Sequence, residues 1–263
     1  MSEIKIADAF KNGKAFIPFI TGGDPDLDTT KKLIIALQDA GSDLIEIGIP
    51  FSDPIAEGPV IQEADERALA AGVTTDKLFD MLKELHEEGS VKVPMVFLTY
   101  ANAIFAYGKE KFMKRCVESG MLGVIVPDIP YEEKAEFEDV ADKYGISMIS
   151  LIAPTSEGRI KMIAKDAKGF LYVVSSLGVT GVREEFSTDI ADMVAAVREV
   201  SDIPTAVGFG ISTPKQAQEM AAKSDGAIVG SAIVKIVGQY GKDCVPYVSD
   251  FVKQLKEGVN DCL

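Results

Sequence analysis

Eight short apolar runs, each closed by Gly, Pro, Ser or Thr, recur near residues 16–20, 44–49, 94–99, 122–126, 146–152, 170–175, 203–207 and 226–229. Each has the length of a β-strand. Segments of helical periodicity lie between them, such as Ile190, Met193, Val194, Val197 and Val200, which share one helix face. A strand that is apolar almost throughout needs cover on both faces, and strand–helix alternation supplies that cover in a parallel sheet. Eight such units fit an α/β fold of the (β/α)8 TIM-barrel type, with an open doubly wound sheet as the competing arrangement. AGSDLIEIG (40–48), SGMLGVIVPD (119–128) and AKSDGAIVGS (222–231) add a faint repeat, each placing small residues ahead of an apolar strand. Extra helices are expected at about 3–12 and about 245–258, capping the barrel. No linker or charge block divides the chain, so a single domain spanning 1–263 is expected.

Acidic side chains outnumber basic ones, leaving a net charge of −14. Such a field repels nucleic-acid backbones and anionic membranes, so neither is an expected partner. It repels an anionic substrate too, so any phosphate site has to rely on local dipoles rather than a basic patch. Cys116, Cys244 and Cys262 share no CxxC spacing, which argues against a disulfide framework or a zinc site. Charges interrupt the first ten residues, and no later run approaches the roughly 20 apolar residues of a membrane span. A cytoplasmic location is expected.

Two glycine clusters stand at the ends of the last two strands: Gly208-Phe209-Gly210-Ile211-Ser212, and Gly230-Ser231. Barrels bind phosphate there, because glycine lets backbone N–H groups approach closely and a helix N-terminus adds a positive dipole end. In Asp43-Leu44-Ile45-Glu46-Ile47-Gly48, alternation turns Ile45 and Ile47 toward the helices and Glu46 toward the barrel interior. No other strand run carries a charge. An unpaired interior carboxylate is costly when ionised, so a raised pKa and acid–base competence are expected of Glu46. The absence of a strand lysine argues against Schiff-base chemistry. The only histidine, His86, sits on a charged helical stretch and is expected at the surface. Directly after the Glu46 strand runs the proline-stiffened loop Pro50–Pro59, from which Asp53 or Glu57 is placed to supply a second carboxylate. Ser176–Gly181, with two glycines, suits a mobile lid.

Taken together, PFITGGDP (18–25), IEIGIPFSDPIAEGPVIQ (45–62), LTYANAIF (98–105), VPDIPYEE (126–133), LGVTG (177–181), VGFGIS (207–212) and VGSAIV (229–234) resemble the tryptophan synthase alpha chain over nearly the whole sequence. The resemblance implies a lyase that cleaves indole-3-glycerol phosphate to indole and glyceraldehyde 3-phosphate, with no cofactor in this chain. It matches Glu46 to the family's acid and base at the reacting carbon and Glu57 to its second carboxylate, near the indole nitrogen. That second position is commonly Asp, and Glu is longer by one bond, roughly 1.5 Å. By the same matching, Phe19, Leu98, Tyr100, Ile125, Ile152 and Tyr172 surround the indole ring. Thr180 and Gly181 close the lid, and Gly181, Gly208, Phe209, Gly210, Ile211, Gly230 and Ser231 surround the phosphate. The resemblance also implies a PLP-dependent beta chain as partner in an alpha2-beta2 heterotetramer, faced by Asp53, Asn102, Asp128 and Pro130. Two alternatives stay open on the residues alone: another phosphosugar-binding barrel enzyme, and a weakly catalytic activator of the beta chain.

Overall fold

Strands apolar on both faces can be satisfied only by a sheet buried on both sides, and the chain meets that demand by closing the sheet on itself. The computed structural model describes residues 4–174, 189–208 and 210–262. Eight parallel strands pair in chain order and the last returns to the first, making a closed barrel. They are β1 (Ala15–Thr21), β2 (Ile45–Gly48), β3 (Met95–Leu98), β4 (Gly123–Ile125), β5 (Ser147–Ile152), β6 (Leu171–Val174), β7 (Thr205–Gly208) and β8 (Gly226–Val229). Each lies within or one residue beyond the apolar runs read from the sequence.

Helices occupy every crossover. α1 (Leu27–Asp39) follows β1, while α2 (Pro59–Ala70) and α3 (Thr75–Glu87) both follow β2. α4 (Ala101–Tyr107) and α5 (Lys109–Glu118) join β3 to β4, and α6 (Ala135–Lys143), α7 (Glu157–Lys165) and α8 (Asp189–Arg198) follow the next three strands. α9 (Pro214–Lys223) precedes β8, and α10 (Ser231–Tyr240) and α11 (Val245–Asn260) complete the chain. Local chemistry fixes several starts: Asp26, Thr74, Ser156 and Thr213 each accept a hydrogen bond from the N–H three residues on, and α2 and α9 begin on proline.

The core has two shells. Ile17, Val96, Ile125, Ile149, Tyr172 and Ile228 fill the barrel interior. Their strand neighbours, including Ile45, Ile47, Phe97, Val173 and Val207, pack outward against the helices. The N-terminal helix is shorter than expected, a five-residue 3-10 turn at Ile6–Phe10. Asp8 reaches back to accept the Lys5 N–H, which closes one tight turn, and Ile6, Ala9 and Phe10 then plug the barrel's lower end. The C-terminal helix α11 joins the outer ring instead, burying Val248, Val252, Leu255 and Val259 against α1 and α9. Among the described residues, no helix is long and apolar enough to cross a membrane.

Candidate active site

Strand alternation delivers one carboxylate into the interior. β2 pairs with Glu46 opposite Phe19 of β1 and Val96 of β3, both inward-facing, while Ile45 and Ile47 join the helix-facing core. The Glu46 side chain is 1% exposed, and its Oε2 has no hydrogen-bond partner among the described residues. Burial, with a smaller contribution from the nearby Glu57 charge, pushes its pKa up to about 8.

Such a shift is also a statement about stability. A carboxyl whose folded pKa lies above its ordinary value of 4.5 contributes stability that is fully present below that value and is lost as pH rises through about 8. Glu46→Gln is therefore expected to melt with the parent at pH 4 and at least roughly 3 °C above it at pH 9. Equal melting temperatures at both pH values would refute the unpaired burial of this group.

Glu57 comes from the loop between β2 and α2, and its side chain closes over the same cavity at 6% exposure. Burial raises its pKa to about 7, against the downward pull of its own and the Ala56 backbone N–H; the Asp128 charge adds to the rise. Asp53, the other candidate on this loop, is exposed and accepts from the Ser52 hydroxyl. Of the two, the structure brings only Glu57 to Glu46. The loop is braced where it matters: Tyr100 Oη accepts from the Ala56 N–H at 2.9 Å, and Gln62 Nε2 donates to the Glu57 carbonyl at 2.9 Å.

Aromatic walls rise beside the carboxylates. Phe19 and Tyr172 line the cavity, with Leu98 between β2 and β4 completing the apolar side. Both rings occupy space that only glycine leaves. A Cβ on Gly48 would sit 2.6 Å from the Phe19 ring, and one on Gly208 would sit 2.3 Å from the Tyr172 hydroxyl. Gly208 thus serves the ring rather than the cavity surface. Tyr100 stands just outside, its ring stacked on Phe51.

At the far wall, Gly210 adopts a left-handed backbone (φ +80°), and Ile211, Gly230 and Ser231 line the cavity. Gly230 is the N-cap of the ten-residue α10, with no side-chain cap, so the positive end of that helix opens into the cavity. No Lys or Arg stands among the described lining residues. Such a wall, offering backbone and a helix end in place of cationic side chains, meets the condition that the net charge sets for any anion site.

Besides Tyr100 and Gly208, two residues sit elsewhere than expected. Ile152 belongs to the helix-facing core, because β5 pairs Leu151 with the inward Tyr172 and Ile152 with the outward Val173. Leu151 fronts the cavity in its place. Ile125 faces inward but is fully buried in the packed interior beneath the cavity. Ala56, Ile61, Pro127 and Ile228 also line the cavity and were not foreseen. The period-2 phase of β8 points to Ile228, whereas the loop residues leave no periodic trace. Thr180, Gly181 and Phe209 lie outside the described residues.

Around the mouth, Asp53, Asn102 and Pro130 are exposed. Asp128 is half-buried and already engaged, accepting from the Ala101 N–H at 3.0 Å at the start of α4. Two exposed apolar side chains of the same loops and helix, Ile55 and Phe105, extend this face. His86 is exposed on α3, and among the described residues no group of three His, Cys, Asp or Glu side chains is placed to hold a metal ion.

A closed parallel barrel with two raised-pKa carboxylates facing a helix N-terminus at its C-terminal mouth defines a (β/α)8-barrel enzyme of the acid–base kind. The tryptophan synthase alpha chain model matches residues 6–260. A tryptophan synthase alpha chain of Lacticaseibacillus casei is 50% identical over 256 residues, covering 97% of this chain and 96% of that one. Among solved structures, Mycobacterium tuberculosis tryptophan synthase superposes with a TM-score of 0.88 at 31% identity, covering 98% and 99% of the two chains. The tryptophan synthase a2b2 complex of Pyrococcus furiosus gives a TM-score of 0.84 at 34% identity, covering 93% and 99%. The chain belongs to the tryptophan synthase alpha chain family.

Proposed function

We propose that this chain, acting as one barrel domain, cleaves indole-3-glycerol phosphate to indole and glyceraldehyde 3-phosphate in the cytoplasm, as the alpha chain of an alpha2-beta2 tryptophan synthase. The observation that carries the reading is Glu46, buried and unpaired in a cavity that also holds Glu57 and the open end of α10. Glu46 gives its proton to the indole carbon that bears the side chain, and the ionised Glu57 accepts a hydrogen bond from the ring N–H, stabilising the ring as it becomes cationic. Glu46, now ionised, takes the proton of the neighbouring glycerol hydroxyl. The carbon–carbon bond then breaks, its electron pair returns to the ring, and the hydroxyl carbon becomes the aldehyde. One carboxyl has given and received one proton, so no co-reactant is needed.

Phe19, Leu98 and Tyr172, with Leu151, hold the indole ring. The backbone of Gly210, Ile211, Gly230 and Ser231 meets the phosphate, supported by the dipole of α10. Thr180, Gly181 and Phe209 are assigned their closing and phosphate roles on the family resemblance alone. PLP belongs to the beta chain, which receives the indole. Asp53, Asn102 and Pro130 face that partner, and the exposed Ile55 and Phe105 supply the apolar contact such a surface needs.

The proton inventory sets the pH profile. Glu46 must start protonated and Glu57 ionised, so activity rises as Glu57 ionises through about 7 and falls as Glu46 ionises through about 8. A narrow bell in kcat/KM between those limits is expected. A rate that keeps climbing to pH 10 would show that Glu46 is not the acid. The activity itself is tested by assaying indole release from indole-3-glycerol phosphate with and without a matched beta chain. No indole in either state refutes the lyase, and activation of the beta chain without cleavage supports an activator in its place.

A further inference from the structure

The Glu57 carboxyl has to meet the substrate from a loop with little structure of its own. Among the described residues, no backbone–backbone hydrogen bond involves residues 50–57, and Ser52, Asp53 and Ile55 are exposed. A segment of this kind has to be held by side chains or left to water. Two side chains hold it, one on either side of the Glu57 Cα: Tyr100 Oη accepts the Ala56 N–H at 2.9 Å, and Gln62 Nε2 donates to the Glu57 carbonyl at 2.9 Å.

Tyr100 is the firmer hold. It is 3% exposed, which shields its hydrogen bond from water, and its backbone is fixed on both sides. The next N–H, of Ala101, donates to Asp128 at 3.0 Å, and the Tyr100 carbonyl accepts from Ala103 and Ile104 in the first turn of α4. The ring stacks on Phe51 with centroids 5.1 Å apart, so one side chain touches the loop near its start and again beside Glu57. The family matching set Tyr100 at the indole ring, yet it is absent from the described lining of the cavity. We propose that Tyr100 is a positioning residue for the reaction: its hydroxyl, with Gln62 as a second hold, keeps the Ala56–Glu57 backbone where the Glu57 carboxyl meets the substrate.

This inference rests on the lyase reading, and its test includes a readout that needs no turnover. Tyr100→Phe removes one oxygen and keeps the ring against Phe51. A loosened segment lets water reach Glu57, whose pKa burial raises from 4.5 to about 7. The ionisable groups that act on it are Glu46 of β2, Asp65 of α2, Asp128 after β4 and Tyr172 of β6, with no cation among them. Hydration therefore lowers the value, and so does release of the Ala56 N–H toward the carboxylate. In Tyr100→Phe, the NMR titration of the Glu57 carboxyl carbon is expected to move down by at least roughly one pH unit, and that of Glu46 by less. The kcat for indole formation is expected to fall at least roughly tenfold with KM changed less than about threefold, since a displacement of about 1 Å at a reacting group costs up to about a hundredfold. Gln62→Met, of similar length but with no donor, is expected to move both readouts the same way by less. In a Glu57→Gln background, Tyr100→Phe is expected to cost less than about twofold in kcat, because its effect passes through Glu57.

A parent protein that releases no indole overturns the lyase reading and leaves the Glu57 titration to judge Tyr100. If the parent is active, the inference is overturned by a Tyr100→Phe kcat within about twofold of it, or by an unmoved Glu57 titration. It is overturned too by a loss that persists in full in the Glu57→Gln background, which would set Tyr100 against the substrate itself.

Discussion

Glu46→Gln is expected to lower indole formation by at least roughly 10²-fold while leaving the barrel folded. The exchange is nearly isosteric in a side chain with 1% exposure, so packing against Phe19 and Val96 is retained. The amide has no proton to give to the ring carbon and no basic oxygen to take the hydroxyl proton. Both halves of the transfer disappear together, which is why this change outweighs any at Glu57, where only the ring nitrogen is served. Because the loss lies in the chemical step, kcat falls and KM moves little. Turnover near that of the parent, measured under single-turnover conditions to exclude product release, would sink the proposed mechanism.

The second large effect is expected at the opposite wall. Ser231 is the first residue of α10, where an acidic side chain suits the helix, stabilising it by about 0.3–1 kcal/mol. Ser231→Glu is therefore expected to fold at least as well as the parent. The same carboxylate faces the phosphate, and two like charges about 4 Å apart near a protein surface repel by about 4 kcal/mol. Allowing for solvent at this half-exposed position, KM is expected to rise roughly 10²-fold with kcat nearly unchanged. Ser231→Ala, which keeps the backbone N–H groups, is expected to differ from the parent by less than about fivefold. Retention of the parent KM by the Glu variant would mean that the phosphate is bound elsewhere.

The barrel was legible because its strands are short, apolar and bounded by turn residues, so their number and order could be read before any contact was known. Glu46 was legible for a related reason: a single charge in an apolar strand marks its own face. On β5 no such mark exists. SMISLI is apolar or small on both faces, and alternation alone leaves its phase free; only pairing of Leu151 with Tyr172 turns Ile152 outward. The loop after β2 has no period at all, so Asp53 and Glu57 were equal candidates until the chain path buried one and exposed the other. Nor does any local pattern single out Asp65 as buried between the exposed Glu63 and Glu66 of the same helix.

The cavity wall built from backbone and a helix end, with no Lys or Arg among its described residues, has a consequence for selectivity. A dipole's attraction fades with distance faster than that of a full charge, and the chain's overall negative field opposes any anion still far away. A phosphate is therefore held only once it is seated, and it can be seated only when the rest of its molecule fits between the rings. Cellular phosphates at large, however abundant and highly charged, gain no advantage from their charge alone.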